Sequence, residues 1–205
     1  MSVKTEDVNA EAQEWERSWW GDCTTTFGEE AKQLTYAHRM GLVNEWRPER
    51  PGHWPVYDLD GRSVLDLGGG PVSILLKCVN GGQRTVVDPC LYPFWVKARY
   101  ETAGILQVVE QAETFEHRDI DDPYDEAWIY NVLQHVEDPK AVIDTACNYA
   151  LNLRIFEWIE TETNVGHPHT LHADDLNRWI GGTGTVEQVN ENGAVGLAYY
   201  GVFPL

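Results

Sequence analysis

The chain has 205 residues, a formal net charge of −18 and four cysteines. That length is enough for one domain with a substantial core, and the acidity repels phosphate backbones and anionic membrane surfaces, so neither nucleic acid nor membrane is an expected partner. No apolar run approaches the ~20 residues of a membrane span, the polar start MSVKTEDVNAEAQEWE is no targeting signal, and Cys23, Cys78, Cys90 and Cys147 form no C-x-x-C pair; a soluble, cytoplasmic protein without disulfides or zinc is expected.

Residues 5–20 read as a polar, acidic helix carrying Trp15, Trp19 and Trp20, with Trp15 and Trp19 on one face. Thr26 and Glu29 have capping-box spacing and start a second helix that runs to about Met40, with Leu34, Ala37 and His38 on one side and Gly41 ending it. Residues 44–57, with Pro48, Pro51 and Pro55, read as an extended connector. Residues 1–50 are thus an N-terminal helical cap on a core of residues 51–205, in one compact unit.

The core opens on RSVLDLGGGPVS, residues 62–73. A short apolar strand over residues 63–67 runs into Gly68, Gly69 and Gly70, then Pro71, then a helical pattern of Val72, Leu75, Leu76 and Val79. Glycine lets backbone pass close to a ligand, Pro71 suits a first helical position, and free N–H groups at that helix start favour an anion. A second strand, residues 83–87, ends at Asp88. An acid about 20 residues after such a turn is placed to accept hydrogen bonds from ribose hydroxyls.

Alternation continues with a helix over 93–103 closed by Gly104, a strand over 106–109, a turn at Asp121 to Tyr124, and a strand over 126–130. Asp138 and Pro139 are an N-cap and first-turn pair for a helix to about Ala150. A strand over 153–159, a loop at 167–172 and a helix over 174–180 follow, and strands 185–189 and 197–203 form a hairpin across 190–193. Strands alternating with helices imply a parallel sheet whose ligands sit beyond the strands' C-terminal ends. Three such ends, at Asp66 to Gly70, at Asp88 and at Tyr130 to Val132, converge on one crevice.

The series VLDLGGGP, VVDP and YNVLQHVEDP resembles the signature motifs of class I S-adenosylmethionine (SAM)-dependent methyltransferases, in particular the small-molecule group that includes the quinone-biosynthesis C-methyltransferases. The resemblance runs from about Val64 to the C-terminus, and the first 50 or so residues match none of its motifs. It implies an α/β, Rossmann-like seven-stranded sheet, mostly parallel, whose last strand inserts antiparallel between strands five and six, here with an N-terminal helical extension. It implies SAM as cofactor, S-adenosylhomocysteine as product, and methyl transfer to a small-molecule acceptor by in-line displacement. On the matching positions, Gly68, Gly69 and Gly70 hold the methionine part and Asp66 reaches its amino group. Asp88, followed by Pro89, meets the ribose, and Gln111, Ala112 and Glu113 lie beside adenine, Gln111 standing where the family often has Asp. The backbone of Asn131 and Val132 faces the cofactor. The residues alone also allow Asp66 to be a loop-bracing carboxylate.

His135 suits a general base, since an unperturbed imidazole titrates near pH 6.5, or else braces the helix that starts after Asp138. Among His167, His169 and His172, His167 is a second candidate base and His169 a candidate substrate contact; a solvated loop is the plainer reading, and no metal is expected because the ligand set is incomplete. Trp19, Trp20 and Tyr36 are candidate substrate walls on a lid, or packing for a core edge. Two rival functions remain: a catalytically decayed SAM-binding or partner-regulating protein, and an NAD(P)-dependent oxidoreductase, whose G-x-G-x-x-G would need glycine where Ser73 stands.

Overall fold

The computed structural model describes residues 5–42, 44–45, 55–116 and 122–205. The N-terminal piece is two helices, α1 (Thr5–Trp20) and α2 (Phe27–Arg39). The predicted capping box does not form. Thr26 has a helical conformation, and its hydroxyl donates to the Glu30 carboxylate at 2.7 Å, leaving Glu29 to pair with Lys32. The buried stripe of α2 is Gln33, Tyr36 and Ala37, continued by its C-cap Met40; of the predicted Leu34, Ala37 and His38 only Ala37 belongs to it, and His38 is exposed. Gly41, at φ +73°, ends the helix. Its N–H bonds the His38 carbonyl (3.0 Å) and the Leu42 N–H bonds that of Ala37 (2.9 Å), a Schellman closure.

The predicted connector is partly strand: β1 (Asn44–Glu45) pairs antiparallel with β2 (Val56–Asp58). Trp46, Pro48 and Pro51 lie outside the described residues. After β3 (Val64–Leu67) the predicted helix is absent. Two short 3-10 turns, Gly70–Val72 and Ile74–Lys77, lead directly into β4 (Cys78–Val79), which pairs parallel with β2. Core side chains claim the backbone donors that a helix would have used. Tyr100 Oη takes the Ser73 N–H (2.9 Å), Tyr130 Oη takes that of Ile74 (3.1 Å), and Ser73 Oγ takes that of Leu75 (3.0 Å).

The remaining elements are β5 (Arg84–Val87), α3 (Phe94–Thr102), β6 (Leu106–Val108), β7 (Glu126–Tyr130), α4 (Pro139–Tyr149), β8 (Asn152–Trp158), α5 (Ala173–Ile180), β9 (Thr185–Glu191) and β10 (Ala194–Pro204). Asp138 caps α4 as predicted, accepting from the N–H groups of Lys140 (2.9 Å) and Ala141 (3.2 Å). Of the predicted turn before β7, Asp121 lies outside the described residues, while Tyr124 is buried and donates to Thr85 Oγ1 at 2.8 Å.

The main sheet has the order β6-β5-β3-β7-β8-β10-β9. Its first five strands are parallel, and β10 runs antiparallel between β8 and β9. A two-residue turn, Asn192 (φ +51°) and Gly193 (φ +78°), joins β9 to β10 with the positive dihedrals a tight hairpin needs. Both faces of the central strands are covered, as parallel strands require. On one face Trp128, Tyr130 and Phe156 pack with Tyr36 and Met40 of α2; on the other Leu67, Ile129 and Ile155 pack with Val142 and Ile143 of α4 and Leu176 of α5.

At the sheet end away from the glycine turn, Glu126 is almost fully buried and takes both nitrogens of an Arg154 fork at 2.7 Å. Arg62 and the Trp128 Nε1–H (2.8 Å) also donate to it, and Arg154 continues to the Met40 carbonyl at 2.6 Å, tying the end of α2 to the sheet. Arg154 and Arg62 hold the Glu126 carboxyl below its ordinary value despite burial. Removing one member of a buried pair strands the other charge, at a cost of about 3–5 kcal/mol. Glu126→Gln is therefore expected to lower the urea midpoint strongly. Because the folded-state pKa is depressed, this contribution is present at neutral pH and is lost as pH falls below about 4.5. Acid unfolding of the variant should accordingly be less steep than that of the parent.

Candidate functional site: a two-chambered crevice over the sheet

The turn after β3 is built so that backbone replaces side chain. Gly68 has φ +80°, and a Cβ there would come within 2.5 Å of Val132. Asp66 is wholly buried beneath the turn. Its Oδ2 accepts from the hydroxyls of Ser73 and Tyr130 (2.7 Å for the latter), and its Oδ1 has no partner. Burial pushes its carboxyl up to about 7. Asp66 lines neither chamber of the crevice, as a loop-bracing carboxylate would not, and the predicted anion-binding helix start is replaced by N–H groups already paired inside the protein.

Asp88 stands at the end of β5. Its Oδ2 accepts the Gly70 N–H (2.9 Å), and its Oδ1 accepts the Cys90 N–H (2.9 Å) and the Tyr92 hydroxyl (3.1 Å). Burial raises its carboxyl to about 6, and the charge of Glu16 adds to the rise. Asp88 and Gly68 open on a first chamber of about 620 Å³, counted with its mouth. Pro89, Gln111, Ala112 and Glu113 line the same chamber, so the segments predicted to flank ribose and adenine do come together. Glu113 also accepts the Glu137 N–H at 2.8 Å, fixing the loop after β7. That loop supplies Asn131 and Val132. Asn131 adopts φ +57°, an uncommon left-handed conformation for a side chain, held by its N–H on the Phe156 carbonyl (2.9 Å) and by Gln134 Nε2 donating to its Oδ1 (2.8 Å).

A second chamber, about 1200 Å³ with its open mouth, lies on the other side of the glycine turn. Its walls are aromatic: Trp15, Trp19 and Trp20 from α1 and Trp158 from β8, with Gly69 and Gly70 at the floor. Trp15 stacks on Trp19 with centroids 5.6 Å apart and lies 6.4 Å from His135 and 5.7 Å from His167. His135 and His167 meet edge to face at 4.5 Å and both line this chamber. His135 Nδ1 lies 2.7 Å from the Gly166 carbonyl, so Nδ1 carries the proton and Nε2 keeps the lone pair. Burial lowers both imidazoles to about 4, in His167 with a contribution from His135, so both are neutral near pH 7.

Two predicted substrate contacts sit elsewhere. Tyr36 is buried in the core, stacked on Phe156 at 4.5 Å, because it belongs to the inward stripe of α2. His169 lines neither chamber; its Nε2 lies on the carbonyls of Val136 (2.9 Å) and Glu137 (3.1 Å). Among the described residues no group of three or more His, Cys, Asp or Glu is placed to hold a metal ion.

One residue the sequence reading passed over is Glu16. It lines both chambers, accepts the Trp20 Nε1–H at 2.6 Å, and holds its other oxygen 3.7 Å from His135 Nδ1. Burial raises its carboxyl above the ordinary value. Its i, i+4 spacing to Trp20 was the available signal.

No protein-family model and no curated protein sequence matches the chain. Solved structures do. The 1,6-didemethyltoxoflavin-N1-methyltransferase of Burkholderia thailandensis, with 1,6-didemethyltoxoflavin and S-adenosylhomocysteine bound, aligns at TM-score 0.65 and 14% identity over 100% of this chain and 91% of that one. The magnesium protoporphyrin IX methyltransferase ChlM of Synechocystis PCC 6803, with SAM bound, aligns at 0.61 and 13% identity over 98% of both chains. DhpI in complex with SAH aligns at 0.59 and 12% identity over 98% and 96%. The mostly parallel seven-stranded sheet with its antiparallel C-terminal strand is the Rossmann-like fold of the SAM-dependent small-molecule methyltransferases.

Proposed function

We propose that this chain is a SAM-dependent methyltransferase acting on a small-molecule acceptor. The observation that carries the reading is the meeting of two unlike chambers at Gly68, Asn131 and His135. One is walled by Gly68 and the acid and loop segments of the SAM motifs, the other by indoles over Gly69 and Gly70. The first chamber's glycine approach at Gly68, its acid at the end of β5 and its mainly apolar walls fit the cofactor. The SAM- and SAH-bound neighbours support the same assignment.

The cofactor, when bound, supplies an activated methyl group on a sulfonium. The chain's own task is alignment, and near-attack geometry can supply ~7–11 kcal/mol. Asp88 would accept from ribose hydroxyls, and Gln111 to Glu113 would border the base. Trp15, Trp19, Trp20 and Trp158 would hold a flat or apolar acceptor and exclude water, with α1 as the lid. His135, neutral with Nε2 unprotonated, would take a proton from a hydroxyl or ammonium acceptor, and His167 is the second candidate for that role. No helix among the described residues is long and apolar enough to cross a membrane.

One observation favours a second reading. The Asp88 oxygens already accept from Gly70, Cys90 and Tyr92, and the Ser73 and Ile74 N–H groups after β3 are taken by Tyr100 and Tyr130, an arrangement that also suits a SAM-binding or partner-regulating protein without turnover. Calorimetry separates the readings from an NAD(P) enzyme first: SAM and S-adenosylhomocysteine should bind, and NADH binding without SAM binding would remove the methyltransferase assignment. Asp88→Ala should weaken S-adenosylhomocysteine by about 1–3 kcal/mol, the cost of unpairing buried polar groups. Affinity in the parent should decline as pH drops through about 6, where Asp88 takes up a proton and loses an acceptor.

A double variant tests the lid. Trp19 is 64% exposed and Trp20 is half-buried at the edge of the core; if both wall the acceptor space, Trp19→Ala/Trp20→Ala should keep the parent's melting temperature to within several degrees. It should also bind S-adenosylhomocysteine within a few-fold of the parent and lose methyl transfer. A joint fall in melting temperature and cofactor affinity would assign the two rings to packing instead.

A further inference from the structure

Glu16 occupies a position that the alignment role of the crevice does not explain. It sits at the junction of the two chambers, yet it belongs to α1 and not to the sheet. It has no Lys or Arg partner among the described residues. Arg17 turns to Glu14 (2.6 Å), Lys32 turns to Glu29 (3.0 Å), and His135 is kept neutral by burial. Of the other acids lining the chambers, Asp88 has its oxygens taken by three donors of its own loop and turn, Glu113 accepts the Glu137 N–H, and Glu29 has Lys32. The Trp20 indole N–H fixes one Glu16 oxygen, so the side chain is held rather than free to swing to solvent. Its other oxygen lies 3.7 Å from the neutral His135 ring and pairs with no closer group among the described residues, which leaves it to face a cation held in the crevice.

We propose that Glu16 is the counter-charge for the cofactor's sulfonium, so that α1 is drawn onto the crevice by the loaded cofactor and released by the spent one. The inference rests on the cofactor reading above. During transfer the sulfur–methyl bond breaks and the sulfur keeps its electron pair. The acceptor gains the methyl and gives up a proton to base. Glu16 therefore faces a cation before the step and a neutral thioether after it. A ligand shifts an equilibrium only by its differential affinity for the two states. Here the difference is one unit charge beside a half-buried carboxylate, where the local dielectric lies below that of water.

The test uses the full chain and three ligands of nearly one shape: SAM, sinefungin (whose amine is a cation at neutral pH) and neutral S-adenosylhomocysteine. Calorimetry on the parent and on Glu16→Gln should show the SAM-to-S-adenosylhomocysteine affinity ratio falling about tenfold in the variant. S-adenosylhomocysteine affinity itself should stay within about threefold. Amide hydrogen exchange on the parent alone should show α1 better protected with sinefungin than with S-adenosylhomocysteine, which keeps the test decisive if the variant folds poorly. An unchanged ratio in a folded variant, or equal α1 protection by both ligands in the parent, overturns the role of Glu16. Failure of all three ligands to bind the parent overturns the cofactor reading instead.

Discussion

The crevice depends on how the chain satisfies the backbone donors just after β3 without a helix to absorb them. A buried N–H left unpaired costs free energy comparable to a lost hydrogen bond. Here Tyr100, Tyr130 and Ser73 take three of them, and Asp88 takes that of Gly70. Tyr130 and Ser73 are themselves anchored on Asp66. The turn is thereby welded to β5, β7 and α3 at once, which holds the glycines at the fixed height that a ligand would need. Asp66 thus braces the turn from underneath.

Above that floor, function divides by element. The C-terminal ends of the parallel strands provide the first chamber, and α1 with the end of β8 provides the aromatic one. His135 and His167 owe their neutral state to burial, to which Trp15 of α1 contributes, and in His167 also to its neighbour His135, so α1 both walls the aromatic chamber and tunes two groups that face it.

Much of the fold was legible because local and global signals agreed. Asp138-Pro139 starts α4, Asn192-Gly193 turns the final hairpin, and the apolar runs of β3, β7 and β8 sit where a buried parallel sheet requires them. The helix expected after Pro71 failed because its apolar spacing could be met equally well by 3-10 turns once distant tyrosines supplied the hydrogen bonds. Periodicity cannot register partners 27 and 56 residues away, as Tyr100 is from Ser73 and Tyr130 from Ile74. The same blindness placed Tyr36 on a substrate wall, since an aromatic residue on an amphipathic helix does not announce which neighbour its stripe will meet. Of the candidate site, the motif residues lining the first chamber were readable, because motif spacing encodes them. Glu16 was not, because its role arises only when α1 lies across the crevice.

The ion pairs of α2 carry one more consequence. Arg39 reaches Glu187 (3.0 Å) and Glu191 on β9, Asn192 donates to Thr35 at 3.1 Å, and Tyr36, Ala37 and Met40 are embedded in the sheet's packing. α1 instead meets the rest of the molecule at the crevice. A shortened chain that begins after Trp20 would give up Ala12 and the edge contact of Trp20 but keep the central packing of α2 on the sheet, losing chiefly the roof of the crevice. One that begins at residue 51 would tear a wall from the interior itself, so the place to cut this protein is between its two N-terminal helices and not behind them.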